Sequence, residues 1–302
     1  MVKRALVSVG VDVDCVAGWI STYGGQDSPN DISRGVFAGE VGVPRLLKVF
    51  EKFNMKTSWF VPTHSLMSFP KEMEAVRDAG HELGLHGWCH ESPTEMTLQQ
   101  QTDVLDASIK AMTEFCGGKK PIGNTTCWWE TSKESVALLQ ARGIQYDHSS
   151  QAHDCQPFYS LDEYRWTKVD YAKEASSWMK PLERGQLTKL VQIPANWYLD
   201  DLPPHMFCKA MPNSHGFVDV DVTLKLWKKH FTYFYRENDW FVFPLTIHPD
   251  VSGRPHVLLM LEEFIEWLQT HEGVEFVTME QVNKEFRERT PFKPEAKEEK
   301  KE

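Results

Sequence analysis

A chain of 302 residues, 41% hydrophobic and 25% charged, is long enough for one large domain or two small ones around a substantial core. Its formal charge of −10 excludes the basic footprint by which proteins hold nucleic acid or an anionic membrane surface. No stretch approaches the roughly 20 apolar residues that a membrane-spanning helix needs.

The N-terminus, MVKRALVSVGVDVD, sets basic residues before an apolar run, as a secretion signal does. The run is short, however, and it ends in two aspartates without a small-residue cleavage site, so 5–11 reads as a first strand. Residues 21–39, rich in Gly, Ser, Asp and Pro, read as a loop. Val43, Leu46, Leu47 and Phe50 share one face at helical spacing and predict a helix over 43–53. A strand is expected over 56–62, a helix over 71–80 closed by Gly80, and a third strand over 81–86 ending at His86. A long helix follows at 97–115, then a strand at 122–128, a helix at 132–142 and a strand at 144–149. The stretch 151–215 is irregular apart from a strand at 189–195. A helix (220–236), a strand (240–248), a helix (256–270), a strand (274–278) and a last helix complete the pattern.

Strands alternating with helices predict an α/β fold with a mostly parallel sheet, open or closed as a barrel. Residues 1–290 read as a single domain and the charged tail 291–302 as disordered. Six scattered cysteines with no CxxC pair read as free thiols. Together with the missing signal sequence they predict a reducing, cytoplasmic location.

Three strand ends carry chemistry. Alternation puts Asp12 and Asp14 on one side of the first strand. Two adjacent carboxylates repel unless a cation lies between them or one is protonated, although a solvated strand end shows the same pair. His86 and His90 stand four apart after HELGLHG; on one helical turn they face the same way and can chelate one ion. Two imidazoles and a carboxylate form a ligand set for Zn²⁺ that leaves positions open for water and substrate, whereas a lone HxxxH is also a pair of surface histidines. His248 ends the apolar strand FPLTIHPD, which Pro249 stops. C-terminal strand ends are where parallel α/β folds place their sites. Trp19, Trp128, Trp129 and Trp197 lie near these segments and suit a sugar face, a flat ring or plain core packing. Glu130, Asp200 and Asp201 read as exposed loop carboxylates within reach of a substrate.

VDVD, HGWCH and LTIH, in this order, resemble the motifs of the polysaccharide deacetylase family, the NodB-homology or carbohydrate esterase 4 group. DISRGVFAGEVGVPRLLKVFEK, AGHELGLHG, YDHS, WMKPLERG, IPANWYLDDLPP, PNSHGFV and FPLTIHPDVSGRP resemble a subgroup typified by the Helicobacter peptidoglycan deacetylase. That subgroup includes cyclic imide hydrolases and lies near the PuuE-type allantoinases. The resemblance implies a distorted (β/α) barrel of about seven strands, a homo-oligomer, and a hydrolase of non-peptide carbon–nitrogen bonds. It implies a divalent metal ion, Zn²⁺, held by Asp14, His86 and His90, with Asp12 as general base and His248 as general acid.

Two departures stand out. A residue separates the aspartates that are adjacent in the wider family, and NTTCWWE (124–130) puts Thr125 and Cys127 where the family's RxPxY/W motif has Arg and Pro. Arg34 is the candidate to orient Asp12 in place of that Arg, unless it only forms a surface salt bridge. With the four tryptophans it makes up the candidate substrate-binding set. The family implies an N-acetylated sugar as substrate. The missing Arg and the free cysteines favour a small amide, cyclic imide or ureide instead. A non-catalytic ligand-binding descendant and a metal-free hydrolase are the remaining readings.

Overall fold

The computed structural model describes residues 3–24, 28–209 and 216–294. β1 (Arg4–Asp12) leads into α1 (Cys15–Ile20), α2 (Pro29–Phe37), a π-helical turn at Ala38–Gly42, and α3 (Val43–Lys52). β2 (Ser58–Val61) is followed by α4 (Thr63–Ser68) and α5 (Pro70–Asp78), and β3 (Glu82–Leu85) by α6 (Leu98–Phe115). Next come β4 (Gly123–Asn124), α7 (Ser135–Ala141), β5 (Tyr146–Asp147) and β6 (Phe158–Leu161). β7 (Tyr164–Arg165) and β8 (Glu183–Arg184) pair as a small separate antiparallel sheet. β9 (Leu187–Gln192), α8 (Leu202–His205), α9 (Val220–Glu237), β10 (Trp240–Ile247), α10 (Pro249–Ser252), α11 (Pro255–Gln269), β11 (Val274–Phe276) and α12 (Met279–Arg289) follow.

β1 organises the sheet. Its β-branched run is buried from Ala5 to Asp12, as expected of a parallel strand covered on both faces. One edge pairs with β10 from Arg4↔Trp240 to Val11↔Ile247; the other takes β11 along its first half and β2 along its second. The parallel order is β10-β1-β2-β3-β4-β5-β9, with β6 antiparallel outside β9. The sheet curls until the chain after β9 meets β10 through the parallel bridge Asp200↔Thr246. His148 crosses the same gap, from the Ile193 carbonyl at Nδ1 to Thr246 Oγ1 at Nε2, both at 3.0 Å. This is the distorted (β/α) barrel expected from the sequence.

The loop expected at 21–39 is largely helix. Ser28 accepts from Asp31 N and Pro29 occupies the first turn, a start signal hidden by the glycines around it. One of those glycines serves packing, because a Cβ on Gly35 would stand 2.5 Å from Val16 N. The strand expected at 122–128 is only Gly123–Asn124, since the chain turns through a 3₁₀ segment at Cys127–Trp129. The disordered tail expected at 291–302 falls outside the described residues from 295 onward; at its start, Phe292 packs edge-on against Tyr159.

The C-terminal helix is locked to the sheet by charge. Arg4 donates to both Glu285 oxygens at 2.6–3.0 Å, and Trp240 Nε1 donates to Oε1 at 2.7 Å. These bonds, Arg4 first, hold the Glu285 carboxyl down at about 2. A depressed carboxylate stabilises the fold above its unfolded pKa, about 4.3, and loses that contribution as pH falls towards the folded value. Glu285→Gln is therefore expected to cost about 1–3 kcal/mol at pH 7. In urea unfolding, its deficit against the wild type should shrink as pH falls below about 4.

Candidate active site

The C-terminal ends of the parallel strands converge on one pocket lined by Asp12, Asp14, Tyr23, His86, His90, Trp128, Trp129, Trp197, Asp200, Leu202 and His248. Asp12 closes β1 and Asp14 begins the turn into α1; His86 follows β3 and His248 follows β10. These four side chains and His90 are buried.

His86 Nδ1 lies 2.6 Å from the Thr125 carbonyl. A carbonyl only accepts, so the Nδ1 proton is fixed there and Nε2 faces the aspartates. It stands 3.2 Å from Asp14 Oδ1 and 3.8 Å from Asp12 Oδ2. Burial alone would lower the His86 pKa, but Asp12 and Asp14 outweigh it and push it up to about 9. Positive charge is therefore wanted at Nε2. His90 Nε2 lies 3.3 Å from Asp14 Oδ2, and burial takes this ring down to about 4, so it stays neutral. Burial opposes ionisation of Asp14, yet His90, His86 and His248 hold it well below the usual carboxylate range. Burial pushes Asp12 up to about 6 against the pull of His86 and His248.

Asp12 Oδ1, Asp14 Oδ1 and His86 Nε2 are buried and lack any hydrogen-bond partner. Two buried carboxylates beside one imidazole are incompletely compensated, and a cation among these atoms would relieve the deficit. Asp14, His86 and His90 therefore fit a divalent metal ion. The group whose ligand atoms all lie within 4.8 Å of one another is His86, His90 and Cys127, whereas Asp14 approaches each histidine through a different oxygen. The Cys127 thiol donates to the His86 carbonyl at 3.3 Å, and burial raises its pKa well above the ordinary value, so it is engaged as a protonated thiol.

His248 is built differently. Its Nδ1 donates to Asp201 Oδ1 at 2.7 Å, leaving Nε2 towards the pocket, 3.7 Å from Asp14 Oδ2. Asp201 also accepts from His248 N at 3.0 Å and from Ser252 Oγ at 2.5 Å. Burial would lower the His248 pKa, but Asp200 and Asp201 raise it well above its ordinary value. Asp200 and Asp201, read from sequence as exposed, are 4% and 0% exposed. The bridge to β10 pulls them under the rim, and no local pattern announces that contact.

Three other expectations change. His86 and His90 do not share a helical turn, because residues 86–92 are irregular. Gly87 (φ +68) and His90 (φ +61) turn the chain back, and Glu91 ties the loop by accepting from Trp88 N at 2.9 Å and Cys89 N at 2.5 Å. Arg34 lies over the Trp19 ring at 4.1 Å, with no hydrogen bond to Asp12. Trp19 itself is buried and does not line the pocket, whereas Trp128, Trp129 and Trp197 do. Trp129 and Trp197 meet at 4.4 Å, and both Trp128 and Trp129 hold left-handed backbone, strain of the kind concentrated at functional sites. The space these residues enclose is about 20 Å³, room for one water-sized group.

A family model for polysaccharide deacetylase matches residues 35–146. The peptidoglycan deacetylase of Helicobacter pylori is 51% identical over 293 residues, covering 97% of this chain and all of the relative. A structure from Mycobacterium smegmatis, assigned to the polysaccharide deacetylases, superposes with a TM-score of 0.81 at 24% identity over 99% of this chain and 95% of that one. Puue allantoinase gives 0.77 at 19% identity over 96% and 93%, so these two structures speak to the fold. With half its residues identical to a deacetylase along nearly the whole of both chains, this protein belongs to the polysaccharide deacetylase family and is a hydrolase of carbon–nitrogen bonds other than peptide bonds.

Proposed function

We propose that the protein hydrolyses an N-acyl amide, with a divalent ion, Zn²⁺, held by Asp14, His86 and His90, Asp12 as general base and His248 as general acid. The observation that carries this reading is the convergence of partnerless buried atoms on Asp12, Asp14 and His86 beside a neutral His90. When bound, such an ion supplies Lewis acidity to the amide carbonyl and makes water a better nucleophile near neutral pH.

The chain supplies the rest. Asp12, raised towards neutrality and without a partner at Oδ1, is suited to accept the proton of the attacking water. His248 keeps its proton because Asp201 and Asp200 stand behind Nδ1, and its Nε2 presents that proton to the departing nitrogen. Trp128, Trp129 and Trp197 exclude water from the reacting atoms and offer flat faces to the substrate.

Two substrate classes fit this chemistry: an N-acetylated sugar, and a small flat amide such as a cyclic imide or ureide. Either substrate must displace the tryptophan side chains to reach Asp12, and a small flat ring, which displaces them least, is the one the narrow pocket supports. Metal-analysed protein assayed in parallel on an N-acetylglucosamine oligomer and on succinimide tests the choice. Ring opening without acetate release is expected, and acetate release from the oligomer would reverse it.

Two substitutions check the roles. Asp12→Asn should lower turnover by about 10²–10⁴-fold while the protein still binds its metal. Unchanged biological function in that variant would point to a non-catalytic binding protein. Asp201→Asn should lower kcat by up to about 10⁴-fold with little change in KM, because an amide no longer fixes the Nδ1–H tautomer of His248 and one of the two carboxylates behind the ring is removed.

A further inference from the structure

We propose that the tripeptide Ser21-Thr22-Tyr23 is the outer shell of the metal site, fixing two of the three ligands and setting the affinity for the ion. The inference rests on the ligand assignment proposed above. Three consecutive hydroxyl side chains reach the site. Ser21 Oγ shares its proton between the His90 carbonyl at 2.8 Å and the Ala17 carbonyl at 2.9 Å, Thr22 Oγ1 bonds His90 Nδ1, and Tyr23 OH donates to Asp14 Oδ2 at 2.5 Å.

Each bond has a definite consequence for a ligand. A ligating imidazole is neutral and carries its proton on the other nitrogen. Once His90 Nε2, which faces Asp14, is given to the ion, Nδ1–H is left to donate to Thr22 Oγ1, a bond that fixes the rotation of the ring. Ser21 grips the backbone of the same residue, which sits in the left-handed conformation (φ +61) that a non-glycine residue avoids without support. The Tyr23 phenol occupies a lone pair of Asp14 Oδ2 and leaves Oδ1, buried and partnerless, as the free donor atom.

The tripeptide is held in register with Asp14. Asp14 and Ser21 flank α1, a helix of six residues, so one short rigid element joins ligand and clamp. The Tyr23 ring sits in a notch at Gly18, where a Cβ would stand 2.6 Å from the ring. It meets His90 edge-on at 5.7 Å and Trp128 at 6.1 Å, so the clamp also touches the aromatic roof. All three residues are positioning residues in this account.

The test is Zn²⁺ affinity, read by competition against a chromophoric chelator, for wild type, Tyr23→Phe, Thr22→Val and Thr22→Ser. Tyr23→Phe and Thr22→Val should each raise the Kd about 10–100-fold, the usual cost of losing an outer-shell partner. Thr22→Ser, which keeps the hydroxyl, should stay within a few-fold of wild type, and turnover of both weakened variants should recover at saturating Zn²⁺. Tyr23→Phe keeps the ring in its notch, so it carries the test alone if Thr22→Val does not fold. A Kd within twofold of wild type for both Tyr23→Phe and Thr22→Val, or equal loss in Thr22→Ser and Thr22→Val, overturns the inference. A wild-type protein that binds no Zn²⁺ overturns the ligand assignment itself, which separates the two failures.

Discussion

Four buried carboxylates, Asp12, Asp14, Asp200 and Asp201, face three buried imidazoles at the mouth of a parallel barrel. So much negative charge cannot be held away from water without compensation, and the strand ends arrange the compensation in two ways. Behind His248 it is a proton: Asp201 accepts the Nδ1–H and keeps the ring charged. In front of His86 no hydrogen bond reaches Nε2 or the facing Asp14 Oδ1, and a cation is the natural occupant. On the proposed ligand assignment, one half of the site holds a proton and the other a metal ion. That division is what acyl transfer to water from a nitrogen leaving group requires.

The fold makes this affordable by placing the unfavourable pieces on a rigid base. β1 is paired along both edges, carries Asp12 at its upper end and leads straight to Asp14. β10 delivers His248 and, through Thr246, anchors the segment bearing Asp200 and Asp201. Beneath the site the aromatic seam of Phe231, Phe234, Phe243 and Phe264 seals β10 against α9 and α11. Truncating one such ring typically costs about 3–5 kcal/mol, enough to support several strained residues above it. The left-handed residues near the site, Cys15, His90, Trp128 and Trp129, follow the C-terminal ends of β1, β3 and β4.

The legible part of the site was the part attached to strong local patterns. Asp12, Asp14, His86 and His248 each terminate an apolar run, so strand periodicity alone brought them to one edge of the sheet. His90 was found through its spacing, though for the wrong reason: a glycine and a left-handed turn, not a helix, bring it beside His86. Asp200 and Asp201 were read as solvated because their burial comes from pairing with β10, some 45 residues away. Ser21, Thr22 and Tyr23 were hidden in a stretch whose glycines and polar residues spell loop, and hydroxyl contacts leave no periodic trace. Arg34 was picked from its place in the loop that matches the family phrase, and it stacks on Trp19 instead.

The absent Arg of the family's third motif changes what Asp12 is. Without a guanidinium beside it, this carboxylate has no fixed partner at Oδ1, and burial raises it towards neutrality. The segment in the Arg position instead serves His86, through the Thr125 carbonyl, and then the roof, through Trp128 and Trp129. Anomalous diffraction from crystals soaked in Zn²⁺ tests directly whether one divalent ion is held by Asp14, His86 and His90. A single strong peak is expected about 2.0–2.2 Å from Asp14 Oδ1, His86 Nε2 and His90 Nε2. A peak at Asp200, Asp201 and His248, or at Cys127, or no peak in the pocket at all, would contradict that placement.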